Sequence, residues 1–169
     1  MIPVDLKSYI DDAPDFPRPG IVFRDISRLL RERFEATVDA LDALLDPTEW
    51  GRIDVLAGIE SRGFVLGAAL AARRRKGFVL VRKQGKLPPP VVDEAYSLEY
   101  GTGVLEMQPG RGRVLIVDDV LATGGTLQAA ANLCARGGYD VEGLAVLIDL
   151  RLADGFAWRA LRPRAAITY

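Results

Sequence analysis

Histidine is absent from this 169-residue chain, and cysteine occurs once, at Cys134. Without histidine there are no Ser–His or Cys–His nucleophile pairs and no histidine metal sites, which leaves carboxylates, lysine and tyrosine as proton carriers. Any metal would be a hard ion on oxygen. A lone cysteine forms no internal disulfide, and its place in an alanine-rich helical run predicts a buried structural thiol and a cytoplasmic location. Hydrophobic residues make up 49% of the chain, yet no apolar run approaches the roughly eighteen residues of a membrane helix, so a soluble protein is expected. The segment Met1-Ile-Pro-Val-Asp-Leu-Lys7 lacks a basic region followed by an apolar core, and no export signal is expected. A net charge of −1 argues against nucleic-acid binding as the main activity. The only strong basic run, Arg73-Arg74-Arg75-Lys76, follows the apolar helical stretch Phe64 to Ala72 and reads as a solvated helix end that complements the dipole.

What the chain does have is concentrated in Val114-Leu-Ile-Val-Asp-Asp-Val-Leu-Ala-Thr-Gly-Gly-Thr126. Val114 to Val117 form a continuous apolar run suited to a central parallel strand covered on both faces. Asp118 and Asp119 sit where that strand ends. Ala122, Thr123, Gly124, Gly125 and Thr126 then lead into a helix over Leu127 to Ala135, closed by Gly137 and Gly138. Free N–H groups at a helix start favour an anion, and the glycines let a phosphate approach the backbone. Two adjacent acids would repel a bare polyphosphate, so their presence makes sense if the ligand also offers hydroxyl donors or brings a divalent cation, the plain alternative being an ordinary strand-turn-helix with two capping aspartates. A ribose 5-phosphate with its cis diol meets that requirement. The spacing matches neither G-x-x-x-x-G-K-[ST] nor G-x-G-x-x-G.

Phe34, Val38, Leu41 and Leu45 recur at helical spacing. Strands are expected over Ile53 to Gly58, Phe78 to Arg82, Val114 to Val117 and Leu144 to Leu150, with a helix over Gly63 to Arg75. That alternation predicts one α/β domain with a mostly parallel sheet flanked by helices, and a site at the carboxyl ends of the strands. Glu60, Ser61 and Arg62 follow the first strand and Lys83 to Lys86 the second. Asp118 and Asp119 follow the third, and Asp149 with Arg151 flank the fourth. Glu60 and Arg62 could instead simply pair with each other at a helix start. Residues 84–103 show no clear period and read as a lid, or as an exposed hairpin whose Val104 to Met107 arm pairs at the sheet edge. Trp50 and Trp158 read as packing residues.

The 114–126 segment resembles the phosphoribosyl-diphosphate (PRPP) motif of type I phosphoribosyltransferases. Four further stretches are similar, in order, to the adenine phosphoribosyltransferase family: Phe16-Pro-Arg-Pro-Gly-Ile-Val-Phe-Arg-Asp-Ile-Ser27, Gly58-Ile-Glu-Ser-Arg-Gly-Phe64, Val81-Arg-Lys-Gln-Gly-Lys-Leu-Pro88 and Tyr96-Ser-Leu-Glu-Tyr-Gly101. The resemblance implies the type I fold as a single domain over 1–169, with a small N-terminal base-binding hood over about 1–33 and a flexible lid over about 84–103. It implies transfer of the 5-phosphoribosyl group of PRPP to N9 of adenine. By resemblance, PRPP is held by Asp118, Asp119, Ala122, Thr123, Gly124, Gly125, Thr126, Ser61, Arg62, Arg82, Lys83 and Lys86. Adenine is held by Val22, Phe23, Arg24 and Leu150. The catalytic residues are Glu99, Tyr100 and Arg62, with Glu99 handling the proton of the base. A magnesium ion (Mg2+) would be coordinated largely by substrate and water, and the partner would be a second copy in a homodimer. Two other readings stay open on the sequence: a relative acting on a 6-oxopurine or orotate, and a sensor that keeps the PRPP site without catalysis.

Overall fold

Four apolar segments that are too short to stand alone become the centre of one sheet. In the computed structural model, which describes residues 5–98 and 101–169, they form β3 (Val55–Ile59), β4 (Gly77–Lys83), β7 (Gly112–Leu121) and β8 (Tyr139–Asp149). With the hairpin β5 (Val92–Leu98) and β6 (Gly101–Met107), and with β9 (Arg164–Thr168), they build a seven-stranded sheet in the order β5-β6-β4-β3-β7-β8-β9. From β4 to β9 every pairing is parallel, and the β5–β6 hairpin joins antiparallel on β4. A separate two-stranded ribbon pairs β1 (Asp11–Pro14) with β2 (Val22–Asp25).

Both faces of the sheet are covered, which is why its strands read as continuous apolar runs. Leu56, Leu115 and Val117 face the side of helices α1 (Ser27–Asp42) and α3 (Arg62–Arg74), among Leu29, Leu41, Leu66 and Leu70. Ala57, Val114 and Ile116 face α4 (Gly125–Arg136), among Leu127, Ala130, Leu133 and Cys134. Cys134 is buried as a free thiol, and burial alone pushes its pKa up to about 12. Close approach of α3 to β3 depends on small residues. A Cβ on Gly58 would lie 2.6 Å from the Phe78 ring and from the Gly63 carbonyl oxygen.

Several expectations change in detail. Helix α1 begins seven residues before Phe34 and is interrupted at Arg33, whose φ of −138° is not helical, so Phe34 is left 38% exposed and Leu45 falls beyond the helix end. The basic run after α3 is not simply solvated. Arg73 pairs with Asp39 at 2.6 Å, and Arg74 donates to Asp42 at 2.6 Å while lying over the Trp50 ring. Arg75 caps the helix in the left-handed region at φ 54°. Trp158 packs as expected, its indole N–H donating to Asn132 Oδ1 at 2.8 Å. The stretch 84–103 is only partly irregular, because from Val92 onward its described residues are paired strands.

Candidate active site

Parallel strands carry their chain to the same end of the sheet, and the polar loops after β3, β4, β7 and β8 meet there. Asp118 and Asp119 close the apolar core of β7 and are each only 7% exposed. Asp118 Oδ1 accepts the Asp119 N–H at 2.9 Å. Arg62, the first residue of α3, sets its Nε 2.7 Å from Asp119 Oδ2. The geometry is that of an ion pair without a directed hydrogen bond, so Asp119 Oδ2 is buried with no donor aimed at it among the described residues. Gly63 allows this contact: a Cβ there would lie 2.9 Å from the Val117 carbonyl oxygen and 3.1 Å from Asp118 Oδ1. Burial, followed by the Asp119 charge, raises the Asp118 carboxyl well above its usual range, and Arg62 only partly opposes it.

After β7 the chain turns through Ala122 and Thr123 to Gly124, which starts α4 at φ 90° with no side chain capping the helix. Residues Val120 to Leu127 line a hollow of about 60 Å³. Uncapped N–H groups at the head of a twelve-residue helix make this hollow an anion seat. Gly124 is required twice, by its positive φ and because a Cβ would meet the Phe156 ring at 2.6 Å. On the far side the Ser97 carbonyl of the β5–β6 hairpin comes within 3.0 Å of where a Gly125 Cβ would stand.

A second group forms around Glu60, across a cis peptide from Ser61. Glu60 does not pair with Arg62. Its carboxylate takes the Lys86 ammonium and the Lys83 N–H, the latter at 2.9 Å, and lies 3.7 Å from Arg82 Nε. Burial raises the Glu60 pKa, but Lys86, Lys83 and Arg82 together hold it below the ordinary value. Ser61 heads α3 with its hydroxyl making no capping bond.

The ribbon reaches over this cleft. The Phe23 ring lies under the Arg62 guanidinium at 4.8 Å, and Phe16 meets Phe23 edge-on at 5.2 Å. Arg24 stacks on Tyr169 at 4.2 Å, and the Tyr169 N–H bonds to the Asp149 carbonyl, so the ribbon is tied to the end of β8 where Leu150 follows. The Leu150 N–H in turn donates to Leu121 at the mouth of the phosphate hollow. Pro14 stands opposite Val22 and has no N–H to give across the ladder, so that pair belongs to the non-bonded set. By alternation the main-chain groups of Val22 and Arg24 turn to the open edge of β2, where no strand pairs among the described residues.

A phosphoribosyl transferase domain family matches residues 25–160. Two adenine phosphoribosyltransferases are similar over almost the whole chain: that of Bdellovibrio bacteriovorus at 51% identity, covering 98% of this chain and 100% of its own, and that of Hydrogenovibrio crunogenus at 50%, covering 97% and 96%. The chain belongs to the adenine phosphoribosyltransferases. It is accordingly a transferase with the type I phosphoribosyltransferase fold. Solved members of the family agree in structure. The Giardia lamblia enzyme, complexed with 9-deazaadenine, superposes with a TM-score of 0.88 at 34% identity over 98% of this chain and 96% of its own. The Saccharomyces cerevisiae enzyme, complexed with an imino-altritol bisphosphate and adenine, gives 0.88 at 33% over 96% of both.

Of the residues expected from this family resemblance, Arg62, Asp118, Asp119 and Phe23 come together directly, the 122–126 loop follows the same strand, and Arg82, Lys83 and Lys86 gather on Glu60. Glu99 and Tyr100 lie outside the described residues. Three residues near the site were not expected. Phe156 braces Gly124, and Tyr169 anchors Arg24. Tyr96 has its phenol pKa raised by burial and then by the charges of Asp118 and Glu60. Tyr96 stands opposite Gly103 in register and its ring covers that glycine.

The raised Asp118 pKa has a stability consequence. Between the unfolded value of 3.8 and the folded one, the folded state binds more protons, so stability falls as pH rises through that window. Asp118→Asn keeps the acceptor for the Asp119 N–H and removes the titration. Its thermal midpoint should exceed the parent's near pH 7, with the gap closing toward about pH 4. A midpoint below the parent's at every pH, or a gap independent of pH, would contradict the assignment.

Proposed function

We propose that this cleft transfers the 5-phosphoribosyl group of PRPP to N9 of adenine, giving AMP and pyrophosphate, as a purine-salvage step in the cytoplasm. The observation that carries the reading is Arg62, which touches both the acid pair and the Phe23 ring. One side chain thereby links a sugar subsite to a base subsite. The C1–oxygen bond to pyrophosphate breaks as the C1–N9 bond forms, and the proton on N9 passes to Glu99, with Tyr100 beside it. Asp118 and Asp119 accept from the ribose 2- and 3-hydroxyls, and the N–H groups from Ala122 to Thr126 hold the 5-phosphate. Arg62, Arg82, Lys83 and Lys86, with Ser61 at the loop, meet the departing diphosphate, where aligned donors stabilise developing charge without reorganising. Phe23 and Leu150 enclose the adenine ring, while the main chain at Val22 and Arg24 reads its edge.

The fit for Mg2+ rests on the donor set. Among the described residues no group of three or more candidate ligands could cage a metal, and Asp119 Oδ2 is buried with no donor aimed at it. Asp118 and Asp119 are the chain's oxygen donors at that site, and diphosphate and water oxygens would complete the shell, as suits an ion that gives up water reluctantly. When bound, the ion would neutralise charge on the leaving group.

A homodimer fits the surface beside α3. Phe78, Leu80 and Arg82 share one face of β4, and Phe64 touches both Phe78 and Arg82. Leu80 and the neighbouring Val65 remain 38% and 45% exposed, an apolar patch that a second copy would cover. Sedimentation at micromolar concentration should give twice the 18.4 kDa chain mass; a monomer mass would remove the dimer.

Base choice tests the reading of the activity. Adenine offers a donor at its 6-amino group and an acceptor at N1, and hypoxanthine presents the reverse. Main-chain groups at Val22 and Arg24 cannot exchange polarity, so the wrong base leaves two groups unpaired at about 1–3 kcal/mol each. The kcat/KM for adenine should exceed those for hypoxanthine and guanine by roughly 10²- to 10⁴-fold. Comparable values for adenine and hypoxanthine would reject adenine as the substrate and leave the PRPP site standing.

A further inference from the structure

Lys86 sits in a turn with no regular structure, yet its ammonium reaches Glu60 beside the acid pair. A lysine on a loose turn would lose rotamer and backbone freedom on meeting an anion, at a cost to binding. Here the turn is already fixed, and strand β6 fixes it. The Gln84 N–H donates to the Val104 carbonyl at 3.0 Å, and the Gln108 amide donates to the Pro88 carbonyl at 3.2 Å. Between those two ties lies Glu106. The residue is 3% exposed, and Oε1 accepts the N–H groups of Lys86 and Leu87, both at 2.7 Å. The amide of Gly85 joins them and is the strongest of the influences that hold the Glu106 carboxyl below its usual range.

Successive backbone N–H groups that converge on one point form a concave nest for an anion. In this turn the nest is filled from within, by a side chain of the neighbouring strand. The consequence is directional. With its amides turned down onto Glu106, the turn presents the Lys86 side chain to Glu60. Glu106 also stands directly opposite Arg82 in the β4–β6 register. Glu106 thus anchors the turn that carries Lys86 while its charge lies near Arg82.

We propose that Glu106 is a positioning residue for the diphosphate end of the site: it anchors the turn from which Lys86 reaches Glu60 and, when substrate is present, the leaving pyrophosphate. This rests on the transferase reading above. Glu106 touches no substrate atom and acts through Lys86.

Two roles for a buried glutamate predict opposite signs. If Glu106 contributed only negative charge near the cations, its removal would tighten binding of a polyanion. If it positions Lys86, removal weakens binding. Glu106→Ala should raise the KM for PRPP roughly ten- to a hundredfold while the KM for adenine stays within about twofold. Glu106→Gln keeps an oxygen that accepts from Lys86 and Leu87, so it should fall between the parent and Glu106→Ala. In a Lys86→Met background, Glu106→Gln should change affinity for PRPP or for inorganic pyrophosphate by less than about twofold, because the group it positions is gone.

Calorimetry with inorganic pyrophosphate on the parent, Glu106→Gln, Lys86→Met and the double variant reads this cycle even where Glu106→Ala does not fold. Non-additive losses carry the proposal. Additive losses, tighter binding in Glu106→Gln, or equal effects on PRPP and adenine would overturn it. A parent protein that fails to convert PRPP and adenine would instead sink the assignment of the reaction, while the pyrophosphate cycle would still report on Glu106.

Discussion

Two adjacent carboxylates buried at the end of a central strand are the constraint around which the rest of this molecule is arranged. Taking a carboxylate out of water costs roughly several kcal/mol even after the protein relaxes, and Asp118 and Asp119 repel each other besides. The fold supplies one partial remedy in Arg62 and one backbone donor to Asp118. The remainder is left for a ligand. On the proposed reading, a sugar diol with two hydroxyl donors held at fixed spacing would complete what the protein leaves unfinished.

The surrounding elements follow from that need. Helix α3 must start close enough to β7 for Arg62 to reach Asp119, which requires glycine at 63 and favours glycine at 58 and 67, where α3 and β3 approach closely around the Phe78 ring. Helix α4 must begin immediately after β7 with its N–H groups open, which requires the left-handed Gly124. On the other flank the cations would repel one another if left bare. Glu60 collects Lys86, Lys83 and Arg82. On the proposed reading a diphosphate would take over those cations.

What the sequence revealed, and what it hid, divides along physical lines. The parallel strands and the glycine turn into α4 were legible because burial on both faces leaves an apolar run and a glycine-bearing turn leaves its own mark. Phe23 was legible only through family resemblance, since a short two-stranded ribbon bounded by prolines has no period to read. The anchoring role of Tyr169 carried no signal, because it depends on Arg24, more than a hundred residues away along the chain. Glu60 was placed at the site end of β3 from the sequence, but the alternative of local pairing with Arg62, which sequence proximity suggests, does not hold. Its true partners come from β4 and the turn after it, and only the parallel register of β3 with β4 brings them together. The hairpin β5–β6 was legible as one of two readings of this stretch, and its Val104 to Met107 arm does pair with β4, while prolines and glycines at one end obscured the start of the pairing at Val92.

The account stands on the acid pair as the sugar subsite, and isothermal titration of PRPP into the Asp118→Asn, Asp119→Asn double variant tests that most directly. Both acceptors for the ribose hydroxyls lose their charge while the fold and the base subsite are kept. The account predicts that PRPP affinity falls by at least about a hundredfold, as expected when two charge-assisted hydrogen bonds are weakened, with adenine binding little changed. A double variant that binds PRPP as the parent does would contradict it.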